Sequence, residues 1–169
     1  TVIELRAPEP ILDLRLFKNR IYTPTLLAAF LIAIGMFGTI LYLPLFVQAV
    51  LGRTATNSGA VLTPMMLAFV FSSVVGGQIL SRTGRYKALA IGTVAVATVG
   101  MYLLSRMDVT TTNATVVRNM IVLGLGIGTT MSLFTIVIQN AFPPERLGEV
   151  TSALTFFRSI GGTIGAAIL

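Results

Sequence analysis

Long apolar stretches alternate with short polar connections along most of the chain. Five such stretches stand out, at about residues 22–51, 59–80, 87–106, 117–142 and 147–169. A helix that crosses a bilayer needs about 20 predominantly apolar residues, and each stretch approaches or exceeds that length. The pattern therefore predicts an all-α integral membrane protein, with a bundle of five transmembrane helices at residues 21–169.

A charged lead-in at residues 1–20 precedes the first apolar stretch. Its apolar residues do not form a clean helical stripe, so two interpretations stay open. The lead-in is either a solvated linker or an amphipathic helix at the membrane interface.

Lys and Arg residues are distributed unevenly between the two sides of the predicted bundle. Short loops make successive helices antiparallel. With the N-terminal end in the cytoplasm, eight cations lie in the lead-in and in the loops at residues 81–87 and 143–149, against three in the loops of the other side. Cytoplasmic loops carry the excess of Lys and Arg. We therefore expect these three segments to face the cytoplasm.

Composition supports the membrane interpretation and argues against nucleic-acid binding. Hydrophobic residues make up 54% of the chain and charged residues 11%, with a mean hydropathy of +0.88. Soluble domains carry about 25% charged residues. The net charge of +6 comes from cations between apolar runs, which do not form the basic stripe of a nucleic-acid site. The expected partner is thus the lipid bilayer, with no nucleic acid.

The residue types that usually carry catalysis and metal binding are missing from the sequence. The chain has no histidine and no cysteine, and the apolar stretches hold no Asp or Glu beyond the loop at residues 143–149. Histidine is the commonest general base and metal ligand. We therefore expect no catalytic residue, no metal site and no cofactor, and a protein that is not an enzyme.

Small residues recur at helical spacing in the fourth and fifth stretches. The run GLGIGTTMS would suit a dinucleotide loop only between a strand and a helix, and here it lies inside an apolar helix. Gly124 and Gly128 share one helix face, as do Gly161 and Gly165. Small residues let neighbouring helices approach closely in membranes. We predict that these four glycines serve helix packing.

Six polar residues lie in or near the apolar stretches and need partners other than lipid. They are Gln48, Gln78, Asn119, Gln139, Asn140 and Arg158. Polar side chains inside a membrane usually face a cavity or another helix. For Arg158 two interpretations stay open, a side chain that snorkels to the interface or one that faces inward to a partner.

The loop after the second stretch, in the sequence GQILSRTGRYK, resembles the loop signature of the major facilitator superfamily. The matching positions are Gly77, Arg82, Gly84, Arg85 and Lys87. Ser81 stands where the signature has an aspartate. The stretches LYLPLFVQAVLG and IQNAFPPERLGEVTSALTFFRSIGGTIGAAI are similar to the C-terminal half of a fourteen-helix drug:proton antiporter. The resemblance extends from about residue 12 onward.

This resemblance implies a fragment, with five of the six helices of a C-terminal bundle. The N-terminal bundle, which in the family carries most coupling carboxylates, would be a missing partner of the same chain. The third helix would face lipid, and Gly76 and Gly77 would approach the fifth helix.

The implied function is export of small apolar or cationic molecules from the cell by proton antiport with alternating access, driven by the proton gradient across the cell membrane. The path would involve helices one, two, four and five. The residues expected near it are Phe37, Tyr42, Gln48, Asn119, Phe134, Gln139 and Arg158. A facilitator carrier for a sugar, amino acid or siderophore, and a non-transporting membrane scaffold, remain alternatives.

Overall fold

Five long α-helices make up most of the described residues in the computed structural model, which describes residues 16–17, 19–52, 54, 59–84 and 86–168. In chain order they are α1 (Tyr22–Ala49), α2 (Leu62–Thr83), α3 (Tyr86–Ser105), α4 (Asn113–Asn140) and α5 (Leu147–Ile168). A one-turn 3₁₀ helix, Pro144–Arg146, precedes α5. The described residues include no strand, which confirms the all-α class.

Helix length and composition match a bilayer for four of these five helices. α1 to α4 are long and apolar enough to cross a membrane. The mean hydropathy of α5 does not meet the same requirement. At 1.5 Å per residue, even the 20-residue α3 is about 30 Å long, close to the thickness of the hydrocarbon core. α5 has enough length with its 22 residues, so its difference lies in composition.

The connection between α2 and α3 is tighter than the loop expected from the sequence. α2 continues through Arg82 to Thr83, and α3 begins at Tyr86. Gly84 has φ +63°, and its N–H donates to the Leu80 carbonyl oxygen at 2.9 Å. A left-handed residue of this kind closes the end of a helix with little strain only when it is glycine. Gly84 therefore ends α2 just before the chain enters α3.

The fourth helix is the centre of the bundle. α2 and α3 pack along α4, while α1 packs along α5, and α1 and α5 each touch α4 over a smaller area. α3 contacts the rest of the bundle on one side, where Ala97 and Gly100 are buried. Its other faces expose Ile91, Val99 and Tyr102. Such an apolar surface suits contact with lipid.

The α2–α4 pair is held by small residues at its closest approach. Gly124 and Gly128 lie directly against the backbone carbonyl groups of Met65 and Phe69, with no room for a Cβ atom. The α1–α5 pair uses the same arrangement. There Gly161 and Gly165 lie against the carbonyl groups of two α1 residues one turn apart, Phe30 and Ile34.

The glycines near the end of α2 also face α4. Gly76 lies against Thr129, and a Cβ at Gly77 would be 3.3 Å from the Ser132 hydroxyl. The resemblance implied that these two glycines approach the fifth helix, and this expectation is wrong. They face α4, whereas α5 packs on α1. Hydroxyl groups reinforce the α2–α4 contact, since Thr129 Oγ1 donates to the Ser72 carbonyl oxygen at 3.0 Å.

Candidate functional site

One face of α5 carries a row of exposed hydroxyl side chains, which we call the α5 hydroxyl face. It consists of Ser152, Thr155, Ser159 and Thr163. Their spacing of three, four and four residues puts them on one side of a helix. All four are exposed, whereas the opposite side of α5 is buried against α1.

These hydroxyls, together with Arg158, lower the mean hydropathy of α5. Thr155 donates to the Thr151 carbonyl oxygen and Thr163 to that of Ser159, both at 3.0 Å, so their protons are satisfied within the helix. Their oxygens remain able to accept hydrogen bonds. The face is thus chemically suited to line a water-filled path. The residues predicted near the path were amide, aromatic and charged, and these hydroxyls were not among them, although their spacing is visible in the sequence.

Arg158 extends from α5 toward α4. Its Nη2 donates to the Met131 carbonyl oxygen at 2.9 Å and to Thr135 Oγ1 at 3.3 Å. Its Nε is buried and has no hydrogen-bond partner among the described residues. Arg158 lies eleven residues into α5, which is about 16 Å from the start of the helix. Of the two open interpretations, these contacts match an inward-facing side chain.

Two aromatic residues expected near the path lie where α1 meets α5. The Phe37 ring packs over Gly162, and the Tyr42 hydroxyl donates to the Ala166 carbonyl oxygen at 3.3 Å. Each side chain remains 39% exposed. Both can therefore present part of their ring to a ligand beside α5.

Asn119 and Phe134 lie instead within helix packing. Asn119 is 1% exposed, and its Nδ2 donates to the Leu103 carbonyl oxygen at 3.1 Å. Leu103 is among the last four residues of α3, whose carbonyl groups lack partners within the helix. Asn119 thus caps α3 from the neighbouring helix. Phe134 is 5% exposed and borders a groove between α1 and α3. The structure brings neither residue to the α5 hydroxyl face.

Gln48 and Gln139 are exposed in the last turns of α1 and α4. Because α1 and α4 run antiparallel, these two amides lie at opposite ends of the bundle. They do not form a common site with Arg158.

The described residues of the loop signature lie in the last turns of α2 and the first turn of α3, at the end of the bundle that the charge pattern predicts to be cytoplasmic. Ser81 Oγ donates to the Gln78 carbonyl oxygen at 2.9 Å, within its own helix. Arg82 and Lys87 are exposed in the end turns of α2 and α3. Arg85 lies outside the described residues. The described part of the chain has no group of three acidic, His or Cys side chains that could hold a metal ion.

The backbone conformation of Gly84 gives a direct prediction for stability. Gly84→Ala is expected to lower the free energy of unfolding by about 1 kcal/mol, since an L-residue resists the left-handed region. Gly92→Ala is the matched control, because Gly92 lies in helical backbone and both glycines have open space where a Cβ would be. Alanine at residue 92 should stabilise slightly. Denaturation of the purified protein in detergent measures both, and equal effects would contradict the role of Gly84.

Comparison with known proteins finds relatives that match almost the whole of this chain. A model of the Major Facilitator Superfamily matches residues 4–166. A multidrug transporter protein of Bacillus subtilis, MdtP, is 40% identical over 168 residues, covering 99% of this chain and 31% of the relative. Multidrug resistance protein 3 of the same organism is 35% identical, covering 99% of the chain and 32% of the relative. A tetracycline resistance determinant of Streptomyces rimosus is 36% identical, covering 99% of the chain and 48% of the relative. The chain thus spans about a third to a half of the length of these relatives.

Proposed function

Because this chain belongs to the major facilitator superfamily, we propose that it forms part of a carrier that exports small apolar or cationic compounds by proton antiport. The observation that carries the proposal is the α5 hydroxyl face beside Arg158, in a bundle whose other helices are apolar. These hydroxyl groups allow this face to contact water or a polar ligand. The names of the relatives, which include multidrug transporters, support the substrate class.

Alternating access supplies the mechanism that we propose. Two bundles rock about a site near the middle of the membrane, which opens to one side at a time. In this chain, α1, α4 and α5 would supply the bundle's share of the path, with Phe37 and Tyr42 offering apolar contact. The energy would come from the proton gradient, and the coupling carboxylates would lie in the N-terminal bundle.

The proposal is tested by transport in proteoliposomes with an imposed proton gradient. The full-length carrier should move a cationic dye such as rhodamine 6G against its concentration gradient. The flux should stop when a protonophore collapses the proton gradient. Residues 1–169 alone should give no flux, because a carrier needs both bundles. Gradient-independent flux by the full-length protein, or any flux by the isolated chain, would count against the proposal.

We propose that the protein lies in the cell membrane and that the N-terminal end of this chain faces the cytoplasm. Thr83, the last residue of α2, and Thr110, in the α3–α4 connection, are both exposed and lie at opposite ends of the bundle. The chain has no native cysteine, so Thr83→Cys and Thr110→Cys can be labelled singly in a full-length carrier freed of other cysteines. A membrane-impermeant maleimide should label residue 110 in intact cells and residue 83 only after the cells are opened. The reverse pattern would refute this orientation.

A further inference from the structure

Arg158 is a partly buried cation in the middle of α5, without an acidic partner in the described part of the chain. The acidic residues described are Asp108 in the α3–α4 connection, Glu145 in the 3₁₀ helix and Glu149 in the first turn of α5. Glu149 lies nine residues before Arg158, about 14 Å along the helix. It is already paired with Arg146, whose Nη2 is 3.1 Å from Glu149 Oε2. None of these carboxylates neutralises Arg158.

The contacts that Arg158 does make orient its guanidinium without neutralising it. Both observed acceptors, the Met131 carbonyl oxygen and Thr135 Oγ1, are uncharged and bind the same nitrogen, Nη2. Nε remains buried and unpaired among the described residues. An unpaired charge in a low-dielectric environment is costly, and buried charges are normally paired. The fixed orientation and the unpaired charge together favour an anion as the remaining partner of Arg158.

We propose that Arg158 binds an oxyanion, a carboxylate or a group of equivalent chemistry, in the complete carrier. The guanidinium is a planar fork that binds carboxylates through two parallel hydrogen bonds. Anchoring of Nη2 to α4 fixes the plane of the fork before the anion arrives, which lowers the entropic cost of binding. Thr155 lies one turn before Arg158 on the same side of α5 and offers a further polar contact.

Two sources could supply this oxyanion, and they have different consequences for transport. The first is an acidic group on the transported compound. The second is a carboxylate of the carrier that lies outside this chain, which would leave the path open to apolar and cationic compounds. The inference rests on the proposed function for the location of the site, but binding and stability can be measured without transport.

The experiment compares three variants of the purified full-length carrier. Arg158→Gln removes the charge, and Arg158→Lys keeps the charge but loses the fork. Thr135→Val is the matched control, because it removes one orienting contact and leaves the charge in place. The probes are fluorescein, an anion at neutral pH, and rhodamine 6G, a cation with the same xanthene ring system. Dissociation constants come from fluorescence anisotropy, and the midpoint of thermal unfolding is recorded for each variant.

If the anion belongs to the substrate, Arg158→Gln should weaken fluorescein binding by about tenfold or more, the effect of losing a charge-assisted hydrogen bond. Rhodamine binding should not weaken. Arg158→Lys should give a smaller loss, and Thr135→Val the smallest. If Arg158→Gln does not fold, the selective loss of fluorescein affinity in Arg158→Lys carries the test.

If the anion belongs to the carrier, Arg158→Gln should leave both dye affinities unchanged and lower the unfolding midpoint more than Thr135→Val does. Changing one Asp or Glu elsewhere in the carrier to its amide should then restore the midpoint. Such a second-site variant can be selected in the Arg158→Gln background, even when that single variant folds poorly.

The proposal is overturned if Arg158→Gln behaves like Thr135→Val in dye binding and unfolding. It is also overturned if the variant loses stability without an anion-selective change and no amide substitution restores it. Either result would mean that Arg158 only joins α5 to α4 through hydrogen bonds to uncharged acceptors. Absence of gradient-driven flux in the wild-type carrier would instead refute the proposed function.

Discussion

Gly128→Ala is expected to lower the free energy of unfolding by about 1–3 kcal/mol, the usual cost of overpacking a close contact. The added Cβ would meet the Phe69 carbonyl oxygen and the Ser72 hydroxyl. A carbonyl group of a neighbouring helix cannot rotate away as a flexible side chain can, so α2 and α4 must separate. Gly161→Ala should have a similar effect on the α1–α5 pair, where the Cβ would meet the Phe30 carbonyl oxygen.

Gly92→Ala separates this packing effect from any general effect of alanine. Gly92 is helical and exposed, with nothing within contact distance of an added Cβ. The three variants should be made in the full-length carrier and compared by thermal unfolding in detergent and by the amount inserted in membranes. Gly128→Ala and Gly161→Ala should lose stability and transport while insertion is largely kept. Unfolding midpoints equal to that of Gly92→Ala would disprove the packing role.

Asn119→Leu is expected to cost about 1–3 kcal/mol, although the substitution is close in volume and apolar. It leaves the Leu103 carbonyl oxygen without its donor at a buried position. The variant also removes the acceptor of Arg118, whose Nε and Nη2 lie 3.3 and 3.2 Å from Asn119 Oδ1. The damage should be confined to the contact between α3 and α4.

Gln48→Leu provides the comparison, because Gln48 is an exposed amide in the last turn of α1. Its replacement should change the unfolding midpoint little. Hydrogen exchange should show faster exchange at the end of α3 in Asn119→Leu and no such change in Gln48→Leu. If Asn119→Leu is as stable as the wild type, the amide does not contribute the cap that the geometry indicates.

The class of the protein could be predicted from the sequence because the bilayer imposes a local requirement. Each spanning helix must satisfy its own backbone hydrogen bonds and present about 20 apolar residues, so the apolar stretches predict the helices without knowledge of their neighbours. The same holds for Gly84, whose role depends on its own backbone angle. The resemblance to the major facilitator superfamily, carried by the loop signature and the fourth and fifth helices, is confirmed by the match over residues 4–166.

The partners of individual side chains depended on the tertiary structure. Helical periodicity indicates which residues share a face. Which helix packs against that face depends on contacts between segments that are distant in the sequence. Gly76 could not be assigned to α4, nor Asn119 to the end of α3, from spacing alone. Arg158 was equally compatible with snorkelling until its contacts with α4 were seen. The hydroxyl spacing of α5 was readable in the sequence, but only the packing of α5 on α1 decided that this face stays exposed.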